Sequence, residues 1–376
     1  MTSKIERILI VGGGIAGLSL AIGLRERGVS ADVVERRSGS IGDGAELYLV
    51  GAAVRALGVL GLAESIVRQG AVIRTQRFLN HRGETLFEID TANYWSRCGP
   101  CVGIRRADLQ RALQDRLGAA GVRFDTSVSR LDQHDRGVAV AFSDGTQREY
   151  DFVVGADGIR SSMRRLVFGD APPRYCGQVG WRFLVVCPAE ITGWTVMLGS
   201  LGAVLLVPVG AGRAYCYCDF ATPQPFDDPR EGRIERLRSR FEHFARPVRE
   251  VMALPTSEDE IHFAAIEEIS QEPWGSRRVL LVGDAAHATS PNMACGAAMA
   301  LEDALVLCEL IASRRDAANV IAEFTRRRSP RVRWVREQAR RRDRMRSLPG
   351  AIRNLILRVA GERIYRANYE PLLEAI

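Results

Sequence analysis

An uninterrupted apolar run opens the chain and predicts a buried β-strand. Residues 7–11 (Arg-Ile-Leu-Ile-Val) place β-branched side chains and leucine side by side without polar alternation, which is typical of a strand covered on both faces. Gly12-Gly13-Gly14 interrupts the run, and 15–28 then has the helical spacing of apolar residues and ends on a glycine suited to a C-cap. A second strand closes at 33–35. This order predicts a βαβ unit, whose crossover makes the two strands parallel.

The pattern changes twice further along the chain. Between about 175 and 266, short β-rich pieces alternate with Gly and Pro turns, which predicts an antiparallel sheet. Before and after it, helical periodicity and continuous apolar runs return, and the chain ends in arginine-rich helix. The predicted helices are 106–117, 230–244 and 297–311, and the predicted strands include 122–124, 138–142, 152–154 and 279–282. Because α/β patterns flank a β insertion, the first domain must be discontinuous in sequence.

The glycine turn has the spacing Gly12-x-Gly14-x-x-Gly17 between a strand and a helix. Gly12 permits the tight turn, Gly14 lets the backbone approach a pyrophosphate, and Gly17 lets the helix pack closely on the strand. Free N–H groups at the helix start then face the phosphates. Glu35 ends the second strand, where a carboxylate accepts hydrogen bonds from a ribose hydroxyl. The pattern predicts a dinucleotide site and leaves open whether the dinucleotide is NAD or FAD.

Two later segments bear on that choice. Residues 155–161 (Gly-Ala-Asp-Gly-Ile-Arg-Ser) and 283–287 (Gly-Asp-Ala-Ala-His) resemble the second and third fingerprints of the para-hydroxybenzoate hydroxylase-like flavoprotein monooxygenases. The three motifs occur in the family's order. The resemblance implies FAD at the glycine turn, Asp284 on the flavin ribitol, and Asp157-Gly158 near the pyrophosphate and the nicotinamide route. Arg106 resembles the family's FAD-contacting arginine at a helix start.

The predicted FAD contacts include residues from all three motifs. They are Gly12, Gly14, Ile15, Ala16, Gly17, Glu35, Arg36, Arg106, Asp157, Gly158, Gly283, Asp284, Pro291, Gly296 and Ala297. For Asp157 and Asp284 the alternative interpretation is a turn or a helix N-cap.

One departure from the family pattern lies at 291–296. Family members have Pro-x-x-Gly-x-Gly there, whereas this chain has Pro-Asn-Met-Ala-Cys-Gly, so Ala294 replaces the first glycine. The motif still predicts flavin binding, but the geometry beside the isoalloxazine is left open. His287 is either a structural member of its turn, as in most of the family, or a general base.

The motifs imply a fold and its division into domains. We predict an α/β fold with a discontinuous, Rossmann-like FAD-binding domain, an inserted antiparallel β-sheet substrate domain and a C-terminal helical segment. The FAD-binding domain comprises 1–70, 102–174 and 275–345, the substrate domain 71–101 and 175–274, and the helical segment 346–376.

Substrate groups are expected from the β insertion and from 42–50 and 90–105. Trp181 and Arg182 are the first candidates, because Gly-Trp-Arg resembles a strand of salicylate hydroxylase-like members. Arg182 could hold a carboxylate or phenolate. The further candidates are Tyr48, Tyr94, Trp95, Tyr215 and Tyr217. The alternative is that these aromatic residues pack between sheet and helices. No general base can be named.

The resemblance also implies the reaction. The chain has no second glycine motif with its own strand and acid, which indicates the single-component class, with NADPH or NADH as a transient co-substrate. In that class reduced FAD reacts with O₂ to a C4a-hydroperoxyflavin that hydroxylates a small, in most cases aromatic, substrate. The alternatives are a same-fold epoxidase, a decarboxylating or an antibiotic- or natural-product-modifying oxygenase, and a non-catalytic flavoprotein.

Composition narrows the cellular setting. The 376 residues are 46% apolar and 26% charged, as in soluble globular proteins, and no segment is apolar enough to cross a bilayer. The N-terminus leads directly into the first strand, so we expect a cytoplasmic protein without stable membrane insertion, either monomer or homodimer. The net charge is +7, with its densest arginine run at 326–346. That run is either a nucleic-acid patch or a solvated helix with acidic partners on the same chain, and we favour the latter and expect no nucleic-acid partner.

Eight cysteines raise the question of metal or redox chemistry. Cys98-Gly-Pro-Cys101 has the CxxC spacing of a zinc or redox pair. None of the five histidines is spaced to complete a zinc site, and no thioredoxin-like pattern surrounds the pair. The favoured interpretation is reduced, structural thiols and no metal site.

Overall fold

The computed structural model of the protein describes residues 5–39, 46–118, 121–170, 172–200, 202–313 and 316–376. Part of the predicted substrate segment 42–50, up to residue 45, lies outside the described residues. The strands are β1 (Ile8–Val11), β2 (Ala31–Val34), β3 (Leu47–Leu49), β4 (Ala71–Ile73), β5 (Thr75–Asn80), β6 (Thr85–Asp90), β7 (Cys101–Ile104), β8 (Val128–Gln133), β9 (Val138–Phe142), β10 (Gln147–Tyr150), β11 (Phe152–Gly155), β12 (Arg174–Val186), β13 (Trp194–Leu198), β14 (Ala203–Gly210), β15 (Arg213–Ala221), β16 (His262–Glu268), β17 (Gly275–Ser276) and β18 (Val279–Leu281). The helices are α1 (Ile15–Glu26), α2 (Gly51–Val59), α3 (Ala63–Gln69), α4 (Thr91–Tyr94), α5 (Arg106–Leu117), α6 (Ser162–Phe168), α7 (Arg233–Phe241), α8 (Val248–Val251), α9 (Asp284–His287), α10 (Gly296–Ala312), α11 (Ala317–Arg346) and α12 (Gly350–Tyr369).

A five-stranded sheet forms the α/β half of the fold. Its order is β17-β18-β11-β1-β2, and every neighbouring pair is parallel except β17–β18. Strands β1, β2, β11 and β18 were all predicted from their apolar runs. The strand predicted at 122–124 is wrong, because only an isolated bridge between Val34 and Arg123 forms there. Helices α1 and α10 pack against each other, and their apolar residues join the main core.

The register of this sheet brings the three fingerprints together. Val11 pairs with Gly155, and Gly155 pairs with Leu281, so β1, β11 and β18 end at the same level. The glycine turn, the second fingerprint and the third fingerprint therefore leave the same carboxyl edge, where open α/β sheets bind ligands.

A seven-stranded sheet forms the other half, and the inserted antiparallel sheet is confirmed. Its order is β16-β12-β15-β14-β13-β5-β6, antiparallel throughout except for the parallel pair β13–β5. One face packs against α7 and α8 in a separate apolar core. The sheet takes its strands from 75–90 and 174–268, and the domain boundaries drawn from the sequence stay a prediction. Two three-stranded sheets, β10-β9-β8 and β3-β7-β4, complete the fold.

The arginine-rich end of the chain is two long helices, α11 and α12. Along α11, arginine side chains form ion pairs with carboxylates from elsewhere in the chain. This arrangement matches the interpretation of the run as a solvated helix with acidic partners on the same chain. The pairs include Arg327–Glu309, Arg331–Glu302, Arg333–Glu272, Arg340–Glu268 and Arg346–Asp219. In the part of the chain that the structure describes, no helix is both long and apolar enough to span a bilayer.

The eight cysteines form no disulfide bonds. All eight thiols are free, and both members of the CxxC pair, Cys98 and Cys101, are buried. Burial raises the pKa of Cys101 to about 12, so the thiol stays protonated at neutral pH. Within the described ranges no group of histidine, cysteine and acidic side chains is placed to hold a metal ion.

A buried ionic network ties α11 and α10 to the third fingerprint. Asp303 accepts hydrogen bonds from Arg328 Nε at 2.7 Å and from the backbone N–H of Gly283 at 2.8 Å. His287 Nε2 lies 2.7 Å from the same carboxylate, and Arg328 also donates to Glu302 at 2.8 Å. All four side chains are buried. Burial raises the pKa of Asp303, but His287 and Arg328 outweigh it and lower that pKa to about 2.

We predict that Asp303→Asn destabilises the protein by about 3–5 kcal/mol, because it leaves a buried arginine without its full counter-charge. The folded pKa of about 2 lies below the ordinary 3.8, so this stabilisation is present above pH 3.8 and is lost as the pH falls toward 2. Thermal unfolding should therefore show a difference between wild type and variant that is constant above about pH 4 and shrinks below it.

The matched control is Asp259→Asn, which removes an exposed carboxylate paired with Arg230. Its effect should stay within about 1 kcal/mol, as for other surface pairs. Equal destabilisation by the two variants would contradict the central role of Asp303.

Candidate functional site

The glycine turn is shaped by two close backbone approaches. Gly12 has φ +117°, and a Cβ placed there would lie 2.4 Å from the carbonyl oxygen of Ala156, just beyond the end of the neighbouring strand β11. A Cβ on Gly17 would lie 1.9 Å from the carbonyl oxygen of Gly12. Neither position accepts a side chain, so both glycines are required by the packing of α1 against β1 and β11.

Gly14 differs from both, because a Cβ placed there would meet nothing within 4 Å. Its backbone is extended (φ −86°, ψ −170°), a conformation open to any residue. The residue therefore leaves free space in front of the first N–H groups of α1, where no side chain caps the helix. A phosphate in that space would accept hydrogen bonds from these N–H groups.

Glu35 closes the turn from the end of β2. Its carboxylate accepts hydrogen bonds from the backbone N–H of Gly13 at 2.8 Å and of Arg37 at 2.9 Å. Each contact uses a different carboxylate oxygen, and each oxygen retains a further lone pair. Glu35 thus positions the loop and can still accept a hydrogen bond from a ribose hydroxyl.

In the second fingerprint, Asp157 caps the start of a helix, as the alternative interpretation of this residue expected. Its carboxylate accepts hydrogen bonds from the backbone N–H groups of Ser162 at 2.8 Å and Met163 at 3.1 Å, at the start of α6. Asp157 thereby fixes α6, and Gly158, with φ +79°, turns the backbone beside it. Both residues line a large cavity at this edge of the sheet.

In the third fingerprint, Asp284 is the exposed member of a buried turn. Gly283 precedes it with φ +58°, and Asp284 opens α9 with its side chain at the cavity. No other described residue hydrogen-bonds its carboxylate, so it is available to the hydroxyl groups of a ribitol. His287 points inward to Asp303 at 2.7 Å, which fits the structural role and places it away from the cavity lining.

The loop with the alanine departure keeps the backbone shape that glycine favours. Ala294 has φ +48° and ψ +31°, in the left-handed region, and α10 begins two residues later at Gly296. Contacts from the last two helices brace the loop: Arg342 donates to the Asn292 carbonyl at 2.8 Å, and the Tyr369 hydroxyl donates to the Met293 carbonyl at 3.0 Å.

One cavity of about 1470 Å³ connects these elements with the seven-stranded sheet. Most ligand pockets hold about 300–1,000 Å³, so this one has room for a dinucleotide and a further ligand. Of the predicted FAD contacts, all except Gly17 and Gly283 line it. Arg106 lines it from the start of α5, where its backbone N–H donates to Glu46 at 2.7 Å.

The predicted substrate residues divide between the cavity and the core. Arg182, Tyr48, Tyr215 and Tyr217 line the cavity. Trp181 does not, and its prediction is corrected: successive residues of a strand face opposite sides, so Trp181 packs with Phe220, Phe241 and Phe263 and donates to Asp228 at 2.8 Å. Tyr94 and Trp95 are also buried away from the cavity, beneath α12.

Arg182 and Tyr217 form the polar end of the sheet's cavity face. They pair across β12 and β15, with the guanidinium carbon 5.5 Å from the ring centroid. Arg182 forms no hydrogen bond or ion pair with the described residues, and the buried Tyr217 hydroxyl has no hydrogen-bond partner among them. Burial raises the pKa of Tyr217 well above its usual value, so its hydroxyl stays a donor.

Sequence reasoning missed the polar residues that surround this pair and the apolar wall beyond it. His262 pairs with Arg182 from β16 and lines the cavity. Burial lowers the pKa of His262, and Arg182 lowers it further. Asp219 lies two residues after Tyr217 and accepts from Arg346 at 2.8 Å, and Arg346 also donates to Asn292 of the flavin loop at 3.0 Å. The available signal was the period of two along a strand, which puts every second residue of β13, β14 and β15 on this face.

The residues at the glycine end fit FAD. An open backbone position at Gly14, uncapped N–H groups at α1 and a free carboxylate at Asp284 meet the pyrophosphate and the ribitol of such a cofactor. A dinucleotide-binding α/β sheet whose cavity continues to an inserted β-sheet defines a flavoprotein oxygenase architecture.

Comparison with known proteins agrees. Residues 6–339 match the model of the FAD binding domain family. The chain is 34% identical over 345 residues to the FAD-dependent urate hydroxylase of Klebsiella oxytoca, covering 89% of each protein, and 33% identical over 352 residues to the 3-amino-4-hydroxybenzoate 2-monooxygenase of Streptomyces cremeus, covering 91% of this chain and 88% of that one. The structure of Klebsiella pneumoniae HpxO with FAD and uric acid superposes with a TM-score of 0.89 at 30% identity, over 98% of this chain and 96% of that one. The chain belongs to this FAD-binding family and is an FAD-dependent monooxygenase of the para-hydroxybenzoate and salicylate hydroxylase type.

We predict that Gly14→Ala folds normally but loses FAD, because its methyl group enters open cavity space. Gly12→Ala should instead unfold the protein or leave it insoluble, since its Cβ would overlap the Ala156 carbonyl. Circular dichroism and the flavin-to-protein ratio after gel filtration measure the two effects separately. A Gly14→Ala protein that retains full flavin content would show that this position does not face the cofactor.

Proposed function

We propose that this monooxygenase takes its electrons from NADPH or NADH and hydroxylates a small aromatic or heterocyclic compound that carries an acidic or anionic group. The observation that supports it is the single cavity that joins the glycine turn to Arg182 and Tyr217. The glycine turn and the polar end of the sheet therefore face the same cavity. When bound, FAD supplies the hydride acceptor and the oxygen chemistry.

The chain's own residues would bind and orient the substrate. Arg182 offers an unpaired guanidinium, which binds carboxylate or phenolate oxygens with two parallel hydrogen bonds. The protonated Tyr217 hydroxyl would donate a further hydrogen bond to the same oxygen. The apolar side chains of β14, the strand next to Tyr217, would exclude water around the ring, as an oxygenase needs to limit wasteful side reactions.

Two considerations support a transient nicotinamide nucleotide. The sequence contains one Gly-x-Gly-x-x-Gly turn with a following acid, and FAD would occupy it. Arginine side chains at the glycine end of the cavity (Arg36, Arg37 and Arg160) would attract an anionic dinucleotide.

The relatives' names support the substrate class. Two relatives are named for acting on urate and on 3-amino-4-hydroxybenzoate. A third, from Pseudomonas aeruginosa and 32% identical over 341 residues, is named for forming a 3-hydroxyquinolone. These are ring compounds with polar groups at the ring, which suits a pocket with one polar end.

Anaerobic stopped-flow absorbance tests the reductant. We expect NADPH or NADH to bleach the bound flavin slowly alone and much faster when an aromatic acid or phenol occupies the cavity, with a hydroxylated product after oxygen is admitted. Fast bleaching without any ring compound, or none with either nucleotide, would refute the proposed use of a nicotinamide reductant in a substrate-gated hydroxylation.

Replacing Arg182 with Leu should weaken binding of acidic ring compounds by about 10- to 100-fold, the usual value of a lost charge-assisted hydrogen-bond pair. Flavin content should stay unchanged. The control is Arg213→Leu on the neighbouring strand β15, an exposed arginine outside the cavity. Titration of each variant with the ring compound, followed by the flavin absorbance, measures the two affinities. Equal affinities for wild type and Arg182→Leu would show that Arg182 does not bind the substrate.

A further inference from the structure

The cavity face of the large sheet carries one straight row of side chains across six strands. Hydrogen-bond register pairs each residue with the next on the neighbouring strand, and all of them line the cavity. In sheet order the row is Arg182, Tyr217, Leu205, Val196, Phe78 and Phe87.

The row is polar at one end and apolar along the rest. After Arg182 and Tyr217, every member is aliphatic or aromatic. Phe78 stacks on Phe87 with ring centroids 4.1 Å apart, and Trp194 lies 4.9 Å from Phe78. We call the part of the cavity along Leu205, Val196, Phe78 and Phe87 the apolar arm.

Helix α12 covers the apolar arm. Leu357, Gly361 and Ile364 line the cavity from this helix. A Cβ on Gly361 would lie 2.3 Å from Phe87 Cδ1, so only glycine lets the Phe87 ring lie against the helix backbone. From β14 to β6 the arm crosses three inter-strand spacings, or roughly 14 Å at about 4.8 Å each.

The arm offers almost nothing to a polar ligand. The lining residues of β5, β6, β13 and β14 are apolar except Gln76, whose side chain already donates to the Tyr48 hydroxyl at 2.7 Å, and the indole N–H of Trp194. A polar group placed along most of the arm would lose its water without gaining a partner, whereas an apolar group would lose nothing.

We propose that the substrate is an aromatic acid or phenol that carries an apolar substituent, an alkyl chain of several carbons or a second ring. Its ionised group lies at Arg182 and Tyr217, and its substituent extends along the apolar arm toward Phe78. This inference rests on the proposed function for the position of the ring and adds the class of substituent, which a small, fully polar ring would not use.

A homologous series tests the arm without turnover. Para-alkylbenzoates, from benzoate to para-nonylbenzoate, are titrated into the oxidised holoenzyme without reductant, and the flavin absorbance reports binding. The expected Kd falls by up to about fourfold per methylene until the arm is filled. A Kd that is constant or rises with chain length overturns the proposal.

A pair of isosteric variants locates the effect. Val196→Thr places a hydroxyl in the arm, and the gain in affinity from benzoate to nonylbenzoate should drop by about tenfold while benzoate binding stays the same. The control, Val359→Thr, makes the same change on the exposed outer face of α12 and should leave the series unaltered. If both variants give the wild-type series, the substituent does not lie in the arm.

The experiments distinguish a failure of the apolar-arm proposal from a failure of the proposed reaction. A chain-length dependence without reduction by NADPH or NADH would leave the arm in place and refute the proposed reaction. Hydroxylation of benzoates with no dependence on chain length would retain the reaction and refute the arm.

Discussion

The Asp303 carboxylate is the constraint on which the site depends. It is fully buried, and it balances Arg328 while also accepting the backbone N–H of Gly283. Removing either Asp303 or Arg328 would leave the other charge in the interior without its full counter-charge, which costs far more than a surface pair is worth. The fold therefore cannot shift α11 or α10 without moving the turn that presents Asp284 to the cavity.

Residues with positive φ shape the backbone at three points around the site. Gly12 and Ala294 line the cavity, and Gly283 turns the chain just before Asp284. Glycine adopts such a conformation without steric cost, whereas the alanine at 294 is strained and is kept only where its surroundings hold it in place. The contacts of Arg342 and Tyr369 hold the loop that contains Ala294, and the ionic network holds Gly283 through its backbone N–H.

The order of apolar and polar residues was enough to predict several of the helices and the buried parallel strands. The helix 106–117 was predicted with the bounds it has, and the four parallel strands were found because buried strands are continuous apolar runs. Strands β8 and β10 were missed because they are largely exposed and polar, and their pairing with β9 is not visible in their composition. The predicted cofactor residues come together at one sheet edge, because their three motifs follow parallel strands that end at the same level. Trp181 was misassigned because a motif names neighbours in sequence, whereas a strand sends neighbours to opposite faces.

Ala294, which replaces the family's glycine, changes both the backbone energy of the loop and the surface of the cavity. An alanine in the left-handed region costs roughly 1 kcal/mol relative to glycine, because its Cβ crowds the following backbone. The loop accepts that cost and keeps the turn, with the Ala294 N–H bonded to the Pro291 carbonyl at 2.8 Å. What changes is the surface: a methyl group now lines the cavity where the family has a hydrogen atom. The methyl group adds apolar area beside the flavin loop, so the departure alters the space left for the ring system while the N–H groups of α10 remain in place.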